Sequence, residues 1–214
     1  MITNHIEKPF DHFTFNNFFD DDQLPVVWDE IKFFINNKNY VETGSVNKTD
    51  AIDLTTNKSV AKRHSFFIDD CLINFRQKSN IYKFINNKLF RSNLHFDYKK
   101  SLVAQYIPLT DHDSLLVSMY DYNDYYKAHV DISVLSFICH LYYKKNHEGG
   151  DLIFEDFNYT HTPTHNSAIL FPSCMKHAVS PVIQIDQTAN DFPYQRISLT
   201  LFIGLALAGF RKPK

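Results

Sequence analysis

Beyond residue 100 the apolar residues stop recurring at helical spacing and fall into short runs rich in β-branched and aromatic side chains, separated by turn residues. The runs at 102–107, 115–120, 128–132, 135–143, 151–154, 168–171, 178–183 and 197–204 read as eight strands. Eight short strands in about a hundred residues predict a jelly roll or a related double sheet. The chain ahead of them reads differently. Residues 1–20 are an extended lead-in with Phe13, Phe15, Phe18 and Phe19 among polar neighbours. Asp20, Asp21 and Asp22 are N-cap candidates for a helix in which Pro25 sits in the first turn, with Val27, Trp28, Ile31, Phe34 and Ile35 on one face. Residues 40–63 are polar and irregular, as a surface loop with at most a short strand. An intermittent apolar face from Leu72 to Leu89 predicts a second helix over 69–90.

The expected architecture is therefore mainly β with flanking helices, the N-terminal helices packed on the larger sheet. One domain of 214 residues is expected, with 1–100 as a helical support region and 101–207 as the β core. With 22 basic against 24 acidic residues the chain has no electrostatic footprint for nucleic acid or an acidic membrane surface. Cys71, Cys139 and Cys174 lie far apart and form no C-x-x-C pair, which points to a reducing cytoplasm rather than a disulfide framework or a zinc ribbon. The N-terminus lacks a signal-peptide pattern, and the apolar run at 197–210 is too short to span a bilayer. Nothing in the sequence bears on oligomeric state.

The chemistry concentrates in Tyr120–Asp131, YDYNDYYKAHVD. His129 and Asp131 flank one residue, so on an extended strand both side chains reach the same face and can grip one ion. An imidazole plus a carboxylate is two thirds of the two-histidine, one-carboxylate triad that binds ferrous iron and leaves positions open. Spacing alone does not choose, because His95 and Asp97 form a second His-x-Asp. A third ligand must come from another strand. His177, at a strand start in FPSCMKHAVSPV, supplies it. Arg196 and Ser198 open the last strand on one face, a guanidinium fork and a hydroxyl suited to a carboxylate. No such pair follows the His95 segment, for which His140 or His147 would have to be the third ligand.

With those residues in place, 100–207 resembles the iron(II)- and 2-oxoglutarate-dependent dioxygenases, in particular their prolyl 4-hydroxylase-like branch. Tyr120 and Tyr126 match the aromatic positions nine and three residues ahead of the His-x-Asp. Asn123 replaces the glycine six ahead, and asparagine also tolerates a left-handed turn. His147–Leu152, HEGGDL, is similar to the Gly-Gly turn of that branch. The resemblance implies a double-stranded β-helix of the jelly-roll or cupin-like kind, with Fe(II) held by His129, Asp131 and His177. It implies 2-oxoglutarate anchored by Arg196 and Ser198 with help from Tyr120 and Tyr142, O2 as the oxidant, and ascorbate as a candidate auxiliary. The implied activity is hydroxylation of an unactivated C–H bond, with succinate and CO2 as co-products. The substrate would be a prolyl or other amino-acid residue of a peptide or protein, or a free amino acid. Two departures stand out: Arg196 follows His177 by nineteen residues where about ten is usual, and Tyr142 and Tyr143 compete for one role. Tyr142 is the reading favoured by its distance from Gly149 and Gly150.

Blander readings exist for each residue. Arg196 could pair with Asp186 or Asp191, Ser198 could face outward, and Tyr120 could be core packing. His140 reads as a satisfied histidine of a buried strand, Cys174 as a buried free thiol, and His161 and His165 as exposed. Two other function classes compete: a cupin-like metal-dependent hydrolase or isomerase, which has no use for Arg196 and Ser198, and a non-catalytic β-roll that binds a ligand.

Overall fold

The computed structural model describes residues 1–37, 52–53, 55–56, 58–72, 75–91, 99–185 and 192–205. In chain order the first elements are β1 (Ile2–Ile6), β2 (His12–Asn16), α1 (Gln23–Asn36), β3 (Ile52–Asp53), β4 (Lys58–Ser59), β5 (Ala61–Lys62), β6 (His64–Phe67), α2 (Ile68–Cys71), α3 (Asn80–Asn86) and α4 (Leu102–Tyr106). Then come β7 (His112–Tyr120), β8 (Tyr125–His129), β9 (Leu135–Leu141), β10 (His147–Gly149), β11 (Leu152–Phe154), β12 (Tyr159–His161), β13 (Ser167–Pro172), β14 (His177–Val179), β15 (Val182–Gln184) and β16 (Arg196–Gly204). Seven strands form a larger antiparallel sheet in the order β1-β2-β13-β9-β16-β7-β6, and five form a smaller one, β12-β11-β14-β8-β5. This is the double sheet that the strand pattern predicts.

Period-2 alternation makes the larger sheet two-faced. Leu115, Val117 and Met119 of β7, Phe137, Cys139 and Leu141 of β9, and Leu199, Leu201 and Ile203 of β16 belong to one buried cluster with Val27, Ile31 and Phe34 of α1 and Ile81 and Ile85 of α3. Each such side chain contributes roughly 1.5–3 kcal/mol on burial. The intervening residues, among them Ser118, Tyr120, Ile138, Arg196, Ser198 and Thr200, line a cavity between the sheets. Phe10, Leu152, Phe154, Phe171 and Val179 form a second cluster on this inner side.

Several predicted elements are corrected. Residues 102–107 form α4 and a 3-10 turn rather than a strand. The Ser101 hydroxyl accepts from Ala104 N–H at 3.1 Å, and the Asp11 carboxylate accepts from Val103 N–H and Ser101 Oγ, each at 2.8 Å. These partners satisfy the first-turn donors of a helix. The helix expected over 69–90 is broken into α2, a 3-10 turn at Arg76–Lys78, α3 and a π turn at Asn87–Arg91. Glu30 of α1 and the Ser79 hydroxyl accept the first N–H groups of α3, so a new helix starts there. The strand expected at 178–183 is two, β14 and β15, parted at Ser180-Pro181, where proline has no N–H to donate. At the N-terminus the lead-in is a hairpin, β1 with β2, that extends the larger sheet through β13. Within 40–63 the described residues form β3, β4 and β5; β5 edges the smaller sheet.

Candidate active site

β8 and β14 pair so that His129 and His177 stand opposite one another, with ring centroids 4.4 Å apart. β8 ends at His129, three residues short of the predicted strand end, so Asp131 is placed by tertiary bonds instead. Its N–H donates to the Ser173 carbonyl at 3.2 Å, and its Oδ2 accepts from Ser136 Oγ at 2.5 Å. Ser136 and Ser133 each share a hydrogen bond with Ser173 Oγ, at 2.7 and 2.6 Å. Nε2 of His129 lies 3.6 Å from Asp131 Oδ1, and Nε2 of His177 lies 3.6 Å from Asp131 Oδ2.

Each imidazole donates Nδ1–H to a carbonyl two residues upstream, His129 to Lys127 and His177 to Met175, both at 2.9 Å. This fixes the tautomer and leaves both Nε2 lone pairs facing inward, the arrangement usual for metal-bound histidine. Tyr126 stacks on His129 with centroids 3.6 Å apart. Burial, then the neighbouring His177 and Arg63, push His129 down to about 3, so it is neutral and able to ligate at pH 7. One ligand atom from each of His129, Asp131 and His177 lies within 4.8 Å of the others, and these three could hold a metal ion. Two neutral imidazoles and one carboxylate suit a borderline divalent ion such as Fe(II).

The other end of the same cavity is cationic. Arg196, the largest fully buried side chain, opens β16, and Ser198 follows on the same face. Its guanidinium lies 4.7 Å over the Tyr120 ring, and its Nη2 donates to His140 Nδ1 at 3.0 Å. Nε and Nη1 are buried without a partner. Such orphaned donors are costly unless a ligand meets them, and a carboxylate fits their charge. The backbone makes room for this arginine: Gly150 adopts φ +71°, and a Cβ there would come within 2.8 Å of Arg196 Cδ. Asn123 does adopt the left-handed turn, at φ +64°.

Tyr120 and Ser198 thus line the cavity with the three candidate ligands and Arg196. Tyr142 is the inward member of its pair but stands behind Arg196; its hydroxyl donates to the Pro163 carbonyl at 3.1 Å. Tyr143 is exposed and packs on Trp28 and Phe192. His95, Asp97, Asp186 and Asp191 lie outside the described residues. Cys174 is exposed rather than buried, because it occupies the turn before β14. His161 is largely buried, with its ring 5.9 Å from that of His140.

Sequence reasoning missed Arg63. It closes the polar stretch where the chain passes from β5 to β6, yet it is buried in the cavity wall, donates to Ser118 Oγ and lies 4.7 Å over the Tyr126 ring. No local pattern marks it. Ser136 was legible in principle, because it alternates with Ile138 and His140 on the inner face of β9.

The fold is a double-stranded β-helix with a candidate metal site between its sheets. Residues 115–204 match the family model of the 2OG-Fe(II) oxygenase superfamily. Fe(II), 2-oxoglutarate and O2 are the cofactor and co-substrates that go with it. Among solved structures, a prolyl hydroxylase from Trichoplax adhaerens, in complex with a hypoxia-inducible-factor peptide fragment, is similar at TM-score 0.59 and 14% identity over 90% of this chain and 83% of that one. A Pseudomonas putida prolyl-4-hydroxylase is similar at TM-score 0.51 and 16% identity, over 91% and 92%. A Burkholderia pseudomallei oxidoreductase of the 2OG-Fe(II) oxygenase family is similar at 0.52 and 12%, over 90% and 84%. No curated protein matches the chain. Among the described residues no helix is long and apolar enough to cross a membrane.

Proposed function

We propose that this enzyme hydroxylates an unactivated C–H bond of an amino-acid substrate, a prolyl or other residue in a peptide or a free amino acid, and releases succinate and CO2. The reading rests on one observation: the His129–Asp131–His177 cluster shares a cavity with a buried arginine whose Nε and Nη1 are unpartnered. His129 and His177 would hold the metal through Nε2 and Asp131 through a carboxylate oxygen. Arg196 would receive the far carboxylate of 2-oxoglutarate, with Ser198 and Tyr120 beside it and Tyr142 behind. When bound, iron and 2-oxoglutarate supply an oxidant from dioxygen strong enough to attack a C–H bond.

The chain's own contribution is positioning and shielding. Backbone carbonyls hold the imidazole tautomers, and the three-serine network orients Asp131. Leu116, Ile138 and Phe202 give the cavity apolar walls that limit water. We further read the chain as one domain, in which residues 1–100 support a catalytic core at 101–207.

Anaerobic protein with Fe(II) and 2-oxoglutarate should develop the weak visible charge-transfer absorption of such a complex, and adding O2 with substrate should release succinate. Folded, iron-loaded protein without that absorption would favour a hydrolase or isomerase site. A screen of free amino acids against proline-containing peptides, read by succinate release, decides the substrate class.

A further inference from the structure

The carboxylate end of the cavity is built in a way that the reaction itself does not require. A fully buried guanidinium ordinarily meets a carboxylate, since an isolated buried charge is expensive. Among the described residues no carboxylate pairs with Arg196. Asp151 acts on Tyr142, His147 and His161, on which Arg196 also acts, but no described ion pair joins it to the arginine.

Neutral groups stand around Arg196 instead: the Tyr120 ring lies under its guanidinium, the Tyr142 side chain hydrogen-bonds with it, and histidines complete the surroundings. Arg196 Nη2 donates to His140, which is itself fully buried on the inner face of β9. Arginine can only donate, so His140 Nδ1 is the acceptor and the ring proton sits on Nε2. His140 Nε2, His161 Nε2 and both nitrogens of His147 are buried without a partner. Burial foremost, with Arg196 next for His140 and His147 and His12 next for His161, holds these rings below their ordinary range, His147 and His161 at about 4. They are neutral at pH 7. Among the described residues, then, the guanidinium is oriented by a neutral acceptor and has no ion-pair partner.

We propose that His140 is the positioning residue for co-substrate binding: as a neutral acceptor it fixes the Arg196 guanidinium through Nη2 and leaves the charge and remaining N–H donors of that group for the far carboxylate of 2-oxoglutarate. An aspartate at the same place would orient the arginine equally well but cancel the charge that the ligand needs. The proposal rests on the reading of Arg196 as the co-substrate anchor, and the test separates the two.

The measurement is calorimetric titration of 2-oxoglutarate into anaerobic, manganese(II)-loaded full-length protein, with manganese affinity measured alongside. His140→Asn keeps an acceptor near the place of Nδ1 and should bind within a few fold of the wild type. His140→Gln and His140→Leu lose that acceptor and should weaken binding by about tenfold or more, the range for a charge-assisted hydrogen bond. His140→Asp should weaken it further. Manganese affinity should be unchanged throughout. 2-Oxobutyrate, which chelates in the same way but has no far carboxylate, should bind all variants alike.

Unchanged 2-oxoglutarate affinity in His140→Gln overturns the proposal, as does an equal loss for 2-oxobutyrate, which would mean general damage. If His140→Leu fails to fold by circular dichroism, the Asn and Gln pair decides. Arg196→Leu distinguishes the levels. If it leaves 2-oxoglutarate affinity intact, the anchor reading falls and this proposal with it; if it weakens binding while His140→Gln does not, only the positioning role falls.

Discussion

The two ends of the cavity solve the same problem, holding a reactive group still in a buried place, by different means. At the metal end the imidazoles are held by backbone: His129 and His177 each donate to a carbonyl two residues away in their own segment. At the carboxylate end the guanidinium is held by a side chain from another strand, His140, 56 residues distant in sequence. A local backbone bond comes with the strand. A bond between two buried side chains on different strands exists only when the register between those strands is right. The two imidazoles should therefore tolerate change around them, and the guanidinium should not.

That contrast can be tested at several points. The largest expected effect is His129→Ala, which should reduce metal binding and succinate release to background while the fold persists by circular dichroism. Retained turnover would move the metal elsewhere, and with it the comparison. Next comes a stability effect with a definite sign. The folded-state values of His140, His147 and His161 lie below the ordinary 6.5, so the unfolded chain takes up protons that the folded chain refuses. Their stabilisation is fully present above pH 6.5 and is lost as pH falls below it, for His147 and His161 down to about 4, by up to ~1.4 kcal/mol per histidine per pH unit. Urea midpoints of metal-free protein at pH 7.5, 6 and 5 should fall accordingly, and a flat profile would show that the imidazoles around Arg196 are solvated.

Arg196→Leu should raise the 2-oxoglutarate requirement by roughly tenfold to a hundredfold, the worth of a charged hydrogen bond, with metal affinity kept. Loss of metal at the same time would mean that the two ends are not independent. The smallest effect sharpens the metal end. Ser136→Ala removes the hydroxyl that holds Asp131 Oδ2 and should lower metal affinity by about tenfold, leaving 2-oxobutyrate and 2-oxoglutarate equally affected.

The same difference explains what could be read ahead of the structure. The eight-strand pattern gave the double sheet because alternation in β7, β9 and β16 is strict: one face must meet the helices and the other the cavity. It failed at 102–107, where an apolar run of strand length became α4. The caps that decide it include Asp11, ninety-two residues from the Val103 N–H that it accepts. The single helix expected at 69–90 failed in the same way, through Glu30 at the start of α3. Of the site, His129, Asp131, His177, Arg196, Ser198 and Tyr120 were legible by spacing and strand phase, and the structure gathers them around one cavity. Arg63 was not, because it enters from the crossing between the two sheets.

The sequence by itself determined which residues of each strand face inward, since the side-chain period of an extended chain is two and the apolar pattern selects the phase. It could not determine who holds whom across that interior. That His140 would meet Arg196, that Ser136 would meet Asp131 and that Arg63 would close the wall follow from register and from crossings between sheets, which bring together residues tens of positions apart. Only the folded chain sets those distances.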